Sequence, residues 1–224
     1  LFLGGLTPSV GALRIACERL DIPVMAMIRP RAGGFAYTDT ELESMLLDID
    51  FAREAGAAGV VFGVLTPGGT VDMERNALLV DRASGLETVF HRAVDVVADM
   101  NAALDSLIEL GITRVLTTGG APDPWPVLDR LADLVARAGN AVEILIGGSQ
   151  PWNWRDILNH TGASQLHIAQ FVDRNDSSCT ARPEVYFGGA LYPSETSYQR
   201  LDGRWTADFV ADSRGSTNAT GGRS

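Results

Sequence analysis

Five short runs of Val, Ile, Leu and Phe in this chain each stop at a glycine, a histidine or a threonine. They are Val60-Val61-Phe62-Gly63, Val89-Phe90-His91-Arg92, Val115-Leu116-Thr117-Thr118, Ile144-Leu145-Ile146-Gly147 and Leu166-His167-Ile168. Within the runs apolar and polar residues do not alternate, so each predicts a strand covered on both faces, the situation of a parallel sheet. Polar residues and glycines gathered at carboxyl ends mark the mouth of a (β/α)-barrel, where such folds keep their sites. The sequence therefore points to its working end before any motif is considered.

Between the runs the spacing is helical. Thr7-Pro8-Ser9 opens a helix through about Leu20 with Leu13, Ala16, Cys17 and Leu20 on one face. A further strand, Val24-Met25-Ala26-Met27-Ile28, ends in Arg29-Pro30-Arg31, and Thr38-x-x-Glu41 forms a capping box for a helix carrying Leu42, Met45, Leu46, Ile49 and Ala52. Strand starts recur at roughly 22 to 36 residues, the length of a βα unit. Six such strands fit either an open doubly wound sheet or most of a barrel. No GxGxxG or GxxxxGK[ST] turn marks a nucleotide site. The reading adopted is an α/β fold, a TIM (β/α)8-type barrel incomplete at its N-terminus. Its first βαβ is expected ahead of Leu1, because such barrels run to about 250 residues. The barrel domain is expected to span 1–212, with Phe187-Gly188-Gly189-Ala190-Leu191 packing on it. Residues 213–224 are expected to form a disordered polar tail.

Bulk properties exclude several functions. A net charge of −10 without a basic stripe argues against nucleic acid. No apolar stretch approaches the roughly 18 residues of a membrane span. Two cysteines without a CxxC pattern, Cys17 and Cys179, suggest a reducing compartment, hence a cytoplasmic protein. The chain contains no lysine, so all 18 basic side chains are arginine. Schiff-base and PLP chemistry need a lysine amine, and these residues supply none.

Candidate chemistry sits at the strand ends. Arg29, Arg31 and Arg92 suit a small anionic ligand, a phosphate or carboxylate held bidentately; the alternative is an internal network with Asp95 and other loop acids. Gly147 and Gly148, followed by Ser149, lie where barrels often bind phosphate through backbone N–H groups; a plain tight turn reads equally well. His91 and His167 are candidate acids or bases, or else core histidines, and Asp95 is placed to orient His91 or Arg92. If His91 binds an anion as an imidazolium, binding weakens as pH rises through its pKa. No HxxxH, HxH or His/carboxylate spacing predicts a zinc or iron site.

Taken together, Gly4-Gly5-Leu6-Thr7-Pro8-Ser9, Met27-Ile28-Arg29-Pro30-Arg31, Phe62-Gly63-Val64-Leu65, Phe90-His91-Arg92-Ala93-Val94-Asp95, Leu116-Thr117-Thr118-Gly119 and Phe187-Gly188-Gly189-Ala190-Leu191 resemble the CutC family over nearly the whole chain. The resemblance implies a TIM barrel, a cytoplasmic copper-homeostasis protein and a homo-oligomer, dimer or tetramer. It makes Cu(I) a possible cofactor. The cysteines proposed to bind Cu(I) in relatives belong to strands ahead of Leu1, and Cys17 and Cys179 match neither, so no metal ligand is assigned within these residues. Two further departures touch the mouth. The family's Gly-Gly-Asp-Phe loop appears as Ala32-Gly33-Gly34-Phe35, and its three-glycine turn as Gly147-Gly148-Ser149. The alternative function is a TIM-barrel enzyme acting on a small phosphate- or carboxylate-bearing substrate.

Overall fold

Strand order decides between barrel and open sheet. The computed structural model describes residues 4–182, 184–185, 187 and 195–217. Six strands, β1 (Met25–Met27), β2 (Gly59–Phe62), β3 (Glu87–Phe90), β4 (Arg114–Thr117), β5 (Glu143–Ile146) and β6 (Gln165–Leu166), pair in strictly sequential order, and every pairing is parallel. A doubly wound sheet reverses its order at a switch point; this one never does. The strands curl into a half-barrel with helices outside.

The helices are α1 (Val10–Arg19), α2 (Asp39–Glu54), α3 (Met73–Arg82), α4 (Met100–Glu109), α5 (Leu128–Ala138) and α6 (Trp154–Thr161). Their ends are set by local chemistry. Ser9 caps α1, and Thr38 and Glu41 complete the capping box of α2. Gly111 takes φ +73° just past α4, the left-handed position that glycine fills without a Cβ penalty.

Period-two alternation gives the sheet two different faces. Ala26, Val60, Phe62, Phe90, Val115 and Ile146 lie under the helices, at 2% exposure or less. They pack with Met45, Ile49, Leu79, Leu104, Leu107, Leu131 and Ile157 in one cluster. The opposite, concave face carries Glu87, Val89 and His91 on the line of β3, Arg114, Leu116 and Thr118 on that of β4, and Glu143, Leu145 and Gly147 on that of β5. At its amino-terminal end Arg114 pairs with Glu87 at 3.5 Å and Glu143 at 2.7 Å, and Gln165 Nε2 donates to Glu143 at 2.7 Å. At its carboxyl end stand the candidate functional residues.

The chain divides into two compact units, Leu1–His167 and Ile168–Ser224. This differs from the expected single domain over 1–212. After Leu166 no helix among the described residues leads to another parallel strand. Instead β7 (Phe171–Asn175) and β8 (Ser197–Leu201) pair antiparallel, and α7 (Gly203–Thr217) follows. The strand expected over 165–169 is accordingly only two residues long. Helix α7 also runs through 213–217, the first part of the segment expected to be disordered. Leu1–Leu3, most of the Phe187–Leu191 motif and residues 218–224 lie outside the described residues.

One side chain fastens a strand end to its following helix. Asn76, fully buried, accepts from the Val64 N–H at 3.1 Å and donates to the carbonyls of Val64 and Asp72, both at 2.7 Å. Replacing it by Ala leaves the Val64 N–H without its acceptor away from water, while the Val64 carbonyl keeps only the Asp72 N–H at 3.1 Å. Asn76→Ala is expected to lower unfolding free energy by about 2 to 4 kcal/mol, measured by chemical denaturation.

Candidate functional site at the carboxyl ends of the strands

Alternation places Arg29, Gly63, His91, Thr118, Gly147 and His167 on the concave face, Arg29 two residues past its strand and the others directly after theirs. The contacts sort them, with Arg31, Arg92 and Asp95, into two groups.

The larger group centres on Asp95, in the 3-10 turn Arg92–Val96 that follows β3. Its carboxylate, only 5% exposed, accepts from Arg92 Nε at 2.8 Å, Thr117 Oγ1 at 2.5 Å, and the N–H groups of Thr118 and Gly120, both at 3.0 Å. Gly119 and Gly120, at φ +75° and +72°, turn the chain so that the last of these donors faces the acid. Arg92, half exposed, also donates through Nη2 to Thr118 Oγ1 at 2.7 Å. Thr118 in turn packs toward the β5 loop, its Cγ2 3.5 Å from where a Cβ on Gly147 would lie and 3.4 Å from one on Gly148. Gly148 has φ +77°, and a Cβ there would meet Pro124 Cδ at 2.9 Å. Close packing and backbone conformation thus account for these two glycines. His167 completes the group: burial, chiefly, with the positive charge of Arg92 adding to it, lowers its pKa. Beside the glycines Ser149 is 4% exposed, and its Oγ has no hydrogen-bond partner among the described residues.

The second group lies at β1 to β3. Arg29, 8% exposed, donates to the carbonyls of Gly5 at 3.1 Å and Gly33 at 2.9 Å. Arg31 pairs with Glu41 and donates to the carbonyls of Gly34 at 3.2 Å and Ala36 at 2.9 Å. Tyr37 sits beside both arginines; burial raises its phenol pKa, and the Arg29 charge opposes that rise. The ring of His91 lies over Gly63, where a Cβ would stand 2.7 Å from Nδ1 and Cε1.

Two sequence expectations change here. The three arginines do not form one open cluster of guanidinium groups. Arg29 and Arg31 hold loop carbonyls and Glu41, because a buried or half-buried cation must be paired, while Arg92 is fixed by Asp95. Nor is His91 an imidazolium near neutrality. It is 4% exposed, its Nδ1 accepts the Ala93 N–H at 3.2 Å, and burial, seconded by the Arg29 charge, lowers its pKa to about 4. A neutral ring that accepts at Nδ1 carries its proton on Nε2. Of the two alternatives for Asp95, orienting His91 or Arg92, the structure shows Arg92; with Arg92, Thr117, Thr118 and Gly120 all donating to its oxygens, the acid serves as a hub. Tyr37 is not singled out by sequence, and Phe35, Thr117 and Ser149 enter there only as members of motifs, with no role of their own. Only their nearness to glycines and strand ends hinted at them.

The arrangement is that of a TIM-barrel-type protein with a cationic, donor-rich mouth and no lysine amine within it. Comparison with known proteins fits this class. The CutC family profile matches residues 1–172, and the chain belongs to that family. A protein named CutC from Treponema denticola is 46% identical over 200 residues, spanning 89% of this chain and 81% of that one. One from Porphyromonas gingivalis is 40% identical, spanning 87% and 79%. Among solved structures, a CutC from Streptococcus agalactiae, assigned provisionally to copper homeostasis, superposes with a TM-score of 0.72 at 36% identity, covering 75% of this chain and 83% of that one. An aldolase superposes at 0.55 with 15% identity, covering 70% and 73%, a likeness of fold alone.

The neutral His91 has a pH consequence. Unfolded, its imidazole takes up a proton near 6.5, and folded only near 4. Between those values the unfolded chain binds more protons, so stability falls as pH falls. The contribution is complete above pH 6.5, and about 3 kcal/mol of it is lost by pH 4. Chemical denaturation of the parent and of His91→Asn at both pH values should show that the variant lacks this part of the acid sensitivity.

Proposed function

We propose that this CutC-family chain is a cytosolic copper-homeostasis protein that works as a homo-oligomer and binds a small phosphate- or carboxylate-bearing molecule at the barrel mouth. The single observation that carries the ligand reading is Arg92. It is half exposed, yet held by a buried Asp95 and by Thr118, with its charge acting on His167. A guanidinium fixed at a strand end while still open to solvent is pre-organised for an oxyanion. His167, whose pKa is lowered by desolvation and by the nearby Arg92 charge, is the candidate proton carrier if the bound molecule is a substrate. That supports the second reading, an enzyme acting on a small anionic compound. Asp95 acts there through Arg92, and the direct role of Gly147 and Gly148 is to let the β5 loop approach Thr118.

The link to copper rests on likeness to the Streptococcus agalactiae protein. The residues described do not fit a copper centre. Soft Cu(I) prefers thiolates and thioethers. Cys17 is half-buried on α1 and Cys179 belongs to the other unit. No three His, Cys, Asp or Glu side chains converge among the described residues. No helix among them is long and apolar enough to cross a membrane.

Two measurements test these readings. Competition against a Cu(I) chelator should show weak binding by residues 1–224; tight one-to-one binding lost in Cys17→Ser would overturn this. In thermal melts, about 10 mM inorganic phosphate or malonate should raise the melting temperature by roughly 2 to 4 °C, less at high salt. Arg92→Ala should abolish the shift. An identical shift in that variant would assign Arg92 to structure alone.

A further inference from the structure

The loop between β1 and α2, residues 30–37, is held in place by Arg29, which precedes it, and by Arg31 near its start. Arg29 donates to the Gly33 carbonyl at 2.9 Å, and Arg31 to those of Gly34 at 3.2 Å and Ala36 at 2.9 Å. The Phe35 carbonyl accepts from Leu65 N–H at 2.9 Å. A charged oxyanion is a stronger acceptor for a guanidinium than a peptide carbonyl is. A small anion and this loop therefore compete for the same donors.

Phe35 lies where that competition would be felt. Its half-buried ring stands 4.9 Å, centroid to centroid, from the imidazole of His91, and the Arg29 guanidinium carbon is 5.4 Å from its centroid. Beneath it is a donor without an acceptor. His91 Nδ1 is taken by the Ala93 N–H, and Nε2, which bears the proton in the neutral ring, is buried with no hydrogen-bond partner among the described residues. Native proteins retain few such groups, since each costs about 1 to 3 kcal/mol. The neighbouring Gly34 meets nothing within 4 Å of an added Cβ, so the chain beside Phe35 has room to move.

We infer that His91 Nε2–H and Arg29 form a covered subsite for an acceptor-only oxyanion, a carboxylate or phosphate oxygen, which Phe35 closes until the ligand displaces the 30–37 loop. This rests on the mouth being a site for small anions, as proposed above, and adds a second end to it, at β1 to β3, away from the Arg92 group. Both groups are pure donors there: the guanidinium cannot accept, and the imidazole's one acceptor atom is already used. The subsite therefore rejects a cationic ligand and favours a negatively charged oxygen over a neutral hydroxyl, which accepts more weakly. Phe35 acts as its stand-in in the closed state, covering the cation with the face of a ring.

Calorimetric titration of residues 1–224 with inorganic phosphate and with malonate tests this in the parent, Phe35→Ala, His91→Asn and Arg92→Ala. Asn keeps an acceptor oxygen for the Ala93 N–H, a favoured capping residue, but has nothing in the place of Nε2–H. Phe35→Ala should bind about three- to tenfold more tightly, and His91→Asn about five- to tenfold more weakly. In the parent, the His91 Nε2–H proton resonance should shift on saturation; this readout needs no variant and decides the matter should His91→Asn fail to fold. Binding by Phe35→Ala but not by the parent also supports the covered subsite. Affinity unchanged or reduced in Phe35→Ala, or an Nε2–H resonance unmoved at saturation, overturns it. If Arg92→Ala loses binding while Phe35→Ala and His91→Asn match the parent, the anion-binding mouth stands and the subsite falls. If neither parent nor Phe35→Ala binds either anion, both fall.

Discussion

The carboxylate of Asp95 is the point on which the mouth of this half-barrel depends. One buried acid gathers a hydroxyl and an N–H from the end of β4, an N–H from the glycine turn beyond it, and the guanidinium of Arg92 from the end of β3. Parallel strands are joined side by side through their backbones, but nothing in the ladder fixes the loops that leave them. Asp95 supplies that fixation for two adjacent loops at once. A buried carboxylate is tolerated only when its lone pairs are satisfied and a cation is near, and both conditions are met. The consequence reaches function, because Arg92 is held in one orientation while half of its side chain remains open to solvent.

The two arginines on the far side of the mouth show the same physics with a different outcome. Arg29 is buried and Arg31 half exposed, and each finds its acceptors in the carbonyls of the loop that follows β1. That loop has no strand or helix to satisfy its peptide groups, so the arginines and the loop complete one another. Phe35 is drawn over Arg29 and His91 as a result. The closed loop and the neutral His91 are thus one arrangement. Burial keeps a proton off the imidazole, and the Arg29 charge reinforces the effect.

Absence of lysine narrows the chemistry in a way the fold does not. The half-barrel superposes on an aldolase at a TM-score of 0.55, yet among these residues no lysine amine exists to form a Schiff base. Fold likeness carries no reaction with it. What remains at the mouth is charge, hydroxyls and two histidines, of which the buried His91 is kept neutral, a set suited to holding an anion.

Much of the architecture was legible in the sequence. Apolar runs ending in Gly63, His91, Thr118, Gly147 and His167 located five of the six parallel strands and the functional end, because a strand buried on both faces requires an unbroken apolar run. The capping box of Thr38 and Glu41 and the terminating Gly111 were local patterns, read from neighbours in the chain. The hub role of Asp95 was half legible, since it lies one turn from Arg92, but its bonds to Thr117, Thr118 and Gly120 cross between strands. The pairing of Arg31 with Glu41, the cover of Phe35 on His91 and the orphaned hydroxyl of Ser149 were not legible. Each depends on which side chains the folded loops, helices and curled sheet bring together, and on how much water that meeting excludes. The same holds for the end of the parallel sheet at Leu166, where Ile168 onward leaves to build an antiparallel pair. Sequence by itself determined the strands, their carboxyl-end polar residues and the absence of a lysine amine. Tertiary structure alone decided which cations are spent on the protein's own carbonyls and which histidine stays neutral, because solvation and pairing are properties of the assembled neighbourhood.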